Sequence, residues 1–156
     1  MQLELADRVE IQDLYASYAH AFDTGDAATW ADHFAPDGRF VYSDQAPIVG
    51  TVALREFFAR RHAEAPGIRH FMASLVLDVT ADGVRGRIYA LVLRLAGDGA
   101  LRVRTIGGYE DDLVRGDRGW RFLERHYEPW LPDDLADAAL ELIPGVDVAP
   151  LPTTSG

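Results

Sequence analysis

The chain has 156 residues, 48% of them hydrophobic and 26% charged, the profile of one soluble globular domain with room for a core and an internal pocket. Its 15 basic and 25 acidic side chains leave a formal charge of −10, which opposes binding to nucleic acid or to an anionic membrane surface. There is no Cys, no Lys and no Asn, which excludes thiol nucleophiles, disulfides, thiolate metal sites, Schiff bases and a P-loop lysine.

Residues 1–10 lack the basic and apolar regions of a signal peptide, and no later run approaches the ~20 apolar residues of a membrane span. A cytoplasmic protein is expected. Ile11, Leu14, Tyr15, Tyr18 and Phe22 recur at helical spacing and predict an amphipathic helix over 6–24. Asp7 is its expected N-cap, Glu10 completes a capping box, and Gly25 stops it. Asp26 then caps a short helix over 27–34. Pro36-Asp37-Gly38 reads as a turn and 39–43 as a strand. Thr51 caps a third helix over 52–64, closed by Pro66-Gly67.

The texture then changes. Residues 68–80, 84–95, 101–115 and 119–127 are rich in Val, Ile, Leu, Tyr and Phe, and short Gly- and Asp-containing turns separate them. They predict an antiparallel meander of four strands. In the first, His70, Met72, Ser74, Val76 and Asp78 share one face, while Phe71, Ala73, Leu75 and Leu77 share the other, read as core. Arg85, Arg87, Arg102 and Arg104 alternate on neighbouring strands and read as a solvated or subunit-facing surface, with a basic patch for an anionic ligand as the alternative. Pro132 opens a short helix over 133–142, and Pro144, Pro150 and Pro152 mark a tail. The chain thus divides into a domain over 1–130 and a C-terminal extension over 131–156. Helices first and a curled sheet after give an α+β cone: a curved antiparallel sheet packed on N-terminal helices and enclosing a cavity.

The order of elements and several short segments resemble the SnoaL-like group of the nuclear-transport-factor-2-like superfamily. The carrying segments are Asp7 through Tyr15, Phe22-Asp23-Thr24-Gly25-Asp26, Phe34-Ala35-Pro36-Asp37-Gly38, Arg69-His70-Phe71, and Gly108-Tyr109 with Gly119-Trp120-Arg121-Phe122. The resemblance implies the cone fold and, because one cone hosts many reactions, only a class of chemistry. In dehydratases of this kind a His on the first long strand pairs with an Asp at the end of the first helix, and those positions match His70 and Asp23. A Tyr on the short strand polarises the substrate carbonyl, and Tyr42 sits at the comparable place. The oxyanion Tyr of the related ketosteroid isomerases aligns with Tyr18. Scytalone dehydratase uses a second His on the next strand, which this chain lacks there; Tyr89 is the candidate replacement. Its Asn has no counterpart, since the chain has none.

Each candidate has a plainer alternative. Asp23 lies where the helix dipole disfavours a carboxylate, so it is either solvated or held there by a partner. A lone strand His is commonly structural, and only its pairing with Asp23 makes it a base. Tyr18 and Tyr42 could equally be core aromatics. Trp30, Phe34, Phe58 and Met72 read as core or cavity wall, and His126 as cavity mouth or solvent-facing. His20, His33 and His62 read as surface residues. Asp32-His33 and His62-Ala63-Glu64 lack the i, i+4 spacing of helical metal ligands, so no metal and no cofactor are expected. The expected function is a cofactor-independent dehydratase, aldol-type cyclase or isomerase acting on a small hydrophobic carbonyl compound, in a homo-dimer or homo-trimer without nucleic-acid or membrane partners. A non-catalytic ligand-binding or assembly module is the alternative.

Overall fold

A computed structural model describes residues 2–95, 97 and 101–130, arranged as three helices and six strands. The extension over 131–156, with its expected short helix, lies outside the described residues. Helix α1 (Leu5–Thr24) begins one residue before the expected start, with Glu4 rather than Asp7 as N-cap. Asp7 stands at the third helical position, and its carboxylate accepts from the Glu4 backbone N–H at 3.2 Å. It also accepts from the Trp120 indole at 3.1 Å and from Arg115, while Glu10 accepts from the Trp120 backbone at 2.9 Å. Asp7 thus closes a capping box with Glu4, and together with Glu10 it also ties the start of the helix to the last hairpin.

Asp26 caps α2 (Ala27–Asp32) through the Thr29 N–H at 3.0 Å, as expected. The helix stops two residues short of the sequence reading. Strand β1 (Phe34–Tyr42) starts at once and absorbs Pro36-Asp37-Gly38 as an irregularity in its pairing. A two-residue strand, β2 (Ile48–Val49), precedes α3 (Thr51–Glu64), whose N-cap is Gly50 rather than Thr51. The long strands follow as β3 (Ile68–Val79), β4 (Val84–Leu95), β5 (Leu101–Gly116) and β6 (Gly119–Pro129).

The sheet order is β2-β1-β6-β5-β4-β3. The meander β3–β6 is antiparallel, but β1 runs parallel to β6, so the curved sheet is mixed rather than antiparallel throughout. Its concave face packs on the helices around Tyr15, Tyr18, Trp30, Phe34, Phe58 and Phe122. Among the described residues no helix is long and apolar enough to cross a membrane.

Three bulges decide which side chains reach that face. In β3 the pairing jumps from Ala73–Tyr89 to Val76–Arg87, with Ser74 at φ 62°, so the inward set changes parity. His70 and Met72 face inward before the bulge, Leu75 and Leu77 after it. Phe71, expected in the core, is 55% exposed on the outer face. In β5 the pairing jumps from Val92–Thr105 to Leu93–Val103, leaving Arg104 as the extra residue. In β6 it jumps from Leu113–Phe122 to Asp112–Glu124, so Arg125 and Tyr127 turn inward and His126 outward. Bulges re-aim side chains in this way wherever one strand carries an extra residue.

Candidate active site

The site begins with the way α1 ends. Gly25 adopts φ 82°, the left-handed conformation that glycine takes at least cost, and this closes the helix with Asp23 in its last turn. A carboxylate there is disfavoured by roughly 0.3–1 kcal/mol through the helix dipole. His70 compensates twice. Its backbone N–H donates to Asp23 Oδ2 at 3.0 Å, and its ring Nδ1 lies 2.7 Å from Asp23 Oδ1. A carboxylate can only accept, so Nδ1 carries the proton, and in the neutral ring Nε2 keeps its lone pair. The two side chains are 8% and 11% exposed, dry enough that the pairing is far less screened than a surface ion pair.

His70 lines a cavity of about 100 Å³ between the helices and the concave face of the sheet. Phe22 packs edge-on against the imidazole at 5.0 Å and fixes the ring plane. Of the residues singled out in the sequence, Tyr18, Tyr42 and Trp30 line the same cavity, and Asp23 stands behind His70. The rest are placed elsewhere. Phe34 and Phe58 are buried behind the wall, against Trp30 at 5.1 and 5.3 Å. Met72 packs on the core without reaching the wall. Tyr89 is 58% exposed on the outer face, because Ile88 and Ala90 hold the inward positions of β4. His126 is turned outward by the β6 bulge and bonds the Ser43 carbonyl through Nε2 at 2.9 Å. His33, expected at the surface, is buried.

The wall also holds residues that sequence reasoning passes over, Arg61, Thr105, Tyr109 and Tyr127, and it holds Arg104, which the sequence reading put on a solvated or subunit-facing surface. Strict alternation from Leu113 backward finds Tyr109 and Thr105. Nothing in the sequence marks the bulge that brings in Arg104.

Beneath the cavity floor lies a buried charge. Arg125 is fully buried, with its guanidinium over the rings of Tyr109, Tyr18, Phe122 and Tyr15 at 3.8, 4.2, 4.4 and 5.0 Å. Its counter-ion is Asp111, whose Oδ2 lies 3.4 Å from Arg125 Nη1 and accepts from the Tyr15 hydroxyl at 2.6 Å. A Cβ on Gly86 would lie 2.2 Å from that hydroxyl, so only glycine leaves room for the bond. Burial pushes the Asp111 carboxyl up to about 6, with the attraction of Arg125 offsetting part of the rise. Burial likewise raises Tyr18 and Tyr109, Arg125 again pulling the other way, so both hydroxyls keep their protons at neutral pH. Un-ionised, they remain hydrogen-bond donors. Among the described residues no group of three or more His, Asp or Glu side chains is arranged to hold a metal ion.

Comparison with known proteins gives three kinds of likeness. The family model for a SnoaL-like domain matches residues 3–126. The uncharacterized protein Rv2910c of Mycobacterium tuberculosis (strain ATCC 25618 / H37Rv) is 27% identical over 124 residues, which cover 78% of this chain and 84% of that one. Among solved structures, Rv3472 of Mycobacterium tuberculosis, a protein of unknown function, superposes with a TM-score of 0.75 at 28% identity, covering 93% of this chain and 84% of that chain. ActVI-ORFA of Streptomyces coelicolor gives a TM-score of 0.72 at 26% identity, over 78% of this chain and 96% of that chain.

Proposed function

The chain belongs to the SnoaL-like family of the nuclear-transport-factor-2-like superfamily, and from that premise we propose that it is a cofactor-independent lyase acting on a small hydrophobic carbonyl compound, such as a polyketide or steroid intermediate. The observation that carries the reading is the 2.7 Å contact between Asp23 and a His70 ring that lines an aromatic cavity. A base held in one tautomer and shielded from water suits proton abstraction next to a carbonyl.

Dehydration uses these groups with the fewest parts. His70 Nε2 takes the proton from the carbon beside the carbonyl, and Asp23 stabilises the imidazolium that forms. The developing enolate accepts a hydrogen bond from Tyr18, while Tyr42, beside Arg61 and Tyr127, stands toward the other end of the cavity. The hydroxyl on the next carbon then leaves with the proton returned from His70, giving water and the unsaturated carbonyl product. Aldol cyclisation uses the same first step and differs only in what the enolate attacks.

The test is incorporation of solvent deuterium beside the carbonyl of 2-tetralone in D₂O, followed by NMR. Asp23→Asn keeps the shape but lets the imidazole adopt either tautomer. It should slow the protein-catalysed exchange by at least ~10²-fold. An Asp23→Asn variant as fast as the wild type would remove Asp23 from the mechanism.

We also infer that copies of the chain associate through the outer face of the sheet. Phe71, Tyr89, Ile106 and Trp130 are exposed there, an apolar patch of the kind that marks interfaces. Arg85 and Arg87 beside it pair with Asp112 and Asp78 at 3.1 and 3.0 Å. Tyr89→Glu should convert the oligomer to monomer in light scattering; an unchanged mass would place the interface elsewhere.

A further inference from the structure

We propose that the cavity takes a carboxylate-bearing substrate, with Arg104 and Arg61 receiving the anion at the end of the cavity away from His70. The proposal deepens the reading above, which it uses only to place the reacting carbon at His70.

The first observation is the charge of the wall. The chain carries ten more acidic than basic groups, yet the residues lining this cavity include two arginines and no Asp or Glu. The second is how Arg104 gets there. By alternation it belongs on the outer face with Arg85 and Arg87, whose partners are the carboxylates Asp112 and Asp78. The β5 bulge makes Arg104 the extra residue of the ladder and turns it to the cavity. An arginine turned inward by an irregularity of the ladder brings a planar guanidinium, which matches a carboxylate with two parallel hydrogen bonds.

The third observation is the company these arginines keep. Arg61 lies 5.9 Å over the Tyr42 ring, which is 5.6 Å from the Tyr127 ring. Tyr127 shares one hydrogen bond with Thr105 at 2.8 Å. Two hydroxyls joined by one bond leave one proton for a ligand. Arg61, Tyr42, Tyr127, Thr105 and Arg104 thus form a polar end within a wall otherwise largely aromatic and aliphatic. The present partner of Arg61 is Glu64 at 3.1 Å, in a pair with both side chains well exposed. Such an exposed pair contributes little and yields readily to a bound anion.

The register sets the span. His70 pairs with Val92, and Val92 with Thr105, so the backbone that carries the polar end lies two strand spacings, about 10 Å, from that of His70. The substrate class is therefore a largely apolar, ring-containing carbonyl compound whose carboxylate is remote from the carbon that loses its proton.

Binding of 2-naphthoate and of neutral 2-acetylnaphthalene, which share one ring system, tests this through quenching of tryptophan fluorescence. The wild type should bind 2-naphthoate at least ~10-fold more tightly, and added salt should narrow the gap. Arg104→Gln with Arg61→Gln should erase the preference and leave 2-acetylnaphthalene within about twofold, while Arg104→Lys alone should retain part of it. Equal affinity for the two probes in the wild type, no binding of 2-naphthoate at millimolar concentration, or equal weakening of both probes in the double variant would overturn the assignment. The two readings fail separately. His70→Ala should keep the preference even though exchange into 2-tetralone is lost, and exchange that survives alongside equal probe affinities would remove the anion site alone.

Discussion

Replacing His70 with Ala should reduce deuterium exchange into 2-tetralone by about 10²–10⁴-fold, the usual contribution of a positioned general base. The same variant should bind 2-acetylnaphthalene with nearly wild-type affinity, since the apolar wall is untouched. The fold should survive, because the backbone N–H to Asp23 remains, but Asp23 loses its ring partner in a nearly buried place and about 1–3 kcal/mol of stability goes with it. Exchange retained at the wild-type rate would mean that another group takes the proton. Loss of exchange together with loss of binding would assign His70 to the pocket's shape instead of its chemistry.

The second large effect falls on stability. Arg125→Ala removes a fully buried cation from four aromatic rings and leaves Asp111 without its counter-ion. Breaking a buried pair from one side costs about 3–5 kcal/mol, which for a chain of this size lowers the melting temperature by on the order of 10 °C. The pH dependence has a definite sign. Asp111 sits at about 6 in the folded chain against an ordinary 3.8, because burial favours its neutral form. The folded state holds this proton more tightly, so the contribution is fully present below about pH 4 and is lost as the pH rises through about 6. Asp111→Asn cannot ionise and should gain on the wild type by on the order of 3 kcal/mol between pH 4 and pH 7 in denaturant melts. A difference independent of pH would contradict the buried position of this charge.

Much of the architecture is legible in the sequence because it follows from local rules. Ile11, Leu14, Tyr15 and Tyr18 are buried at their helical spacing, and the Gly- and Asp-containing segments do separate the long strands. The parallel pairing of β1 with β6 has no local signal, since it joins segments some 85 residues apart. Side-chain direction is legible only as far as a strand keeps its period of two. Ser74, Arg104 and Leu123 each break it, and the misplacements along those strands follow from these bulges. Alternation puts Phe71 in the core and Arg104 on the outer face, and the structure reverses both. His126 faces away from the cavity mouth for the same reason. Asp23 and His70 stand out by resemblance, and their contact at 2.7 Å depends on the end of a helix meeting the first long strand. The Arg125–Asp111 pair leaves no mark in the sequence, because a charged residue in an alternating strand looks the same whether it faces water or four aromatic rings.

The proposed chemistry requires that Asp23 keep the His70 proton on Nδ1 and leave Nε2 as a base toward the cavity. Long-range ¹H–¹⁵N correlation spectra of the histidine rings at neutral pH measure this directly. His70 should show a protonated Nδ1 and an unprotonated Nε2, with Nε2 shifting when 2-acetylnaphthalene binds. A proton on Nε2, or an Nε2 signal that ignores the ligand, would contradict it.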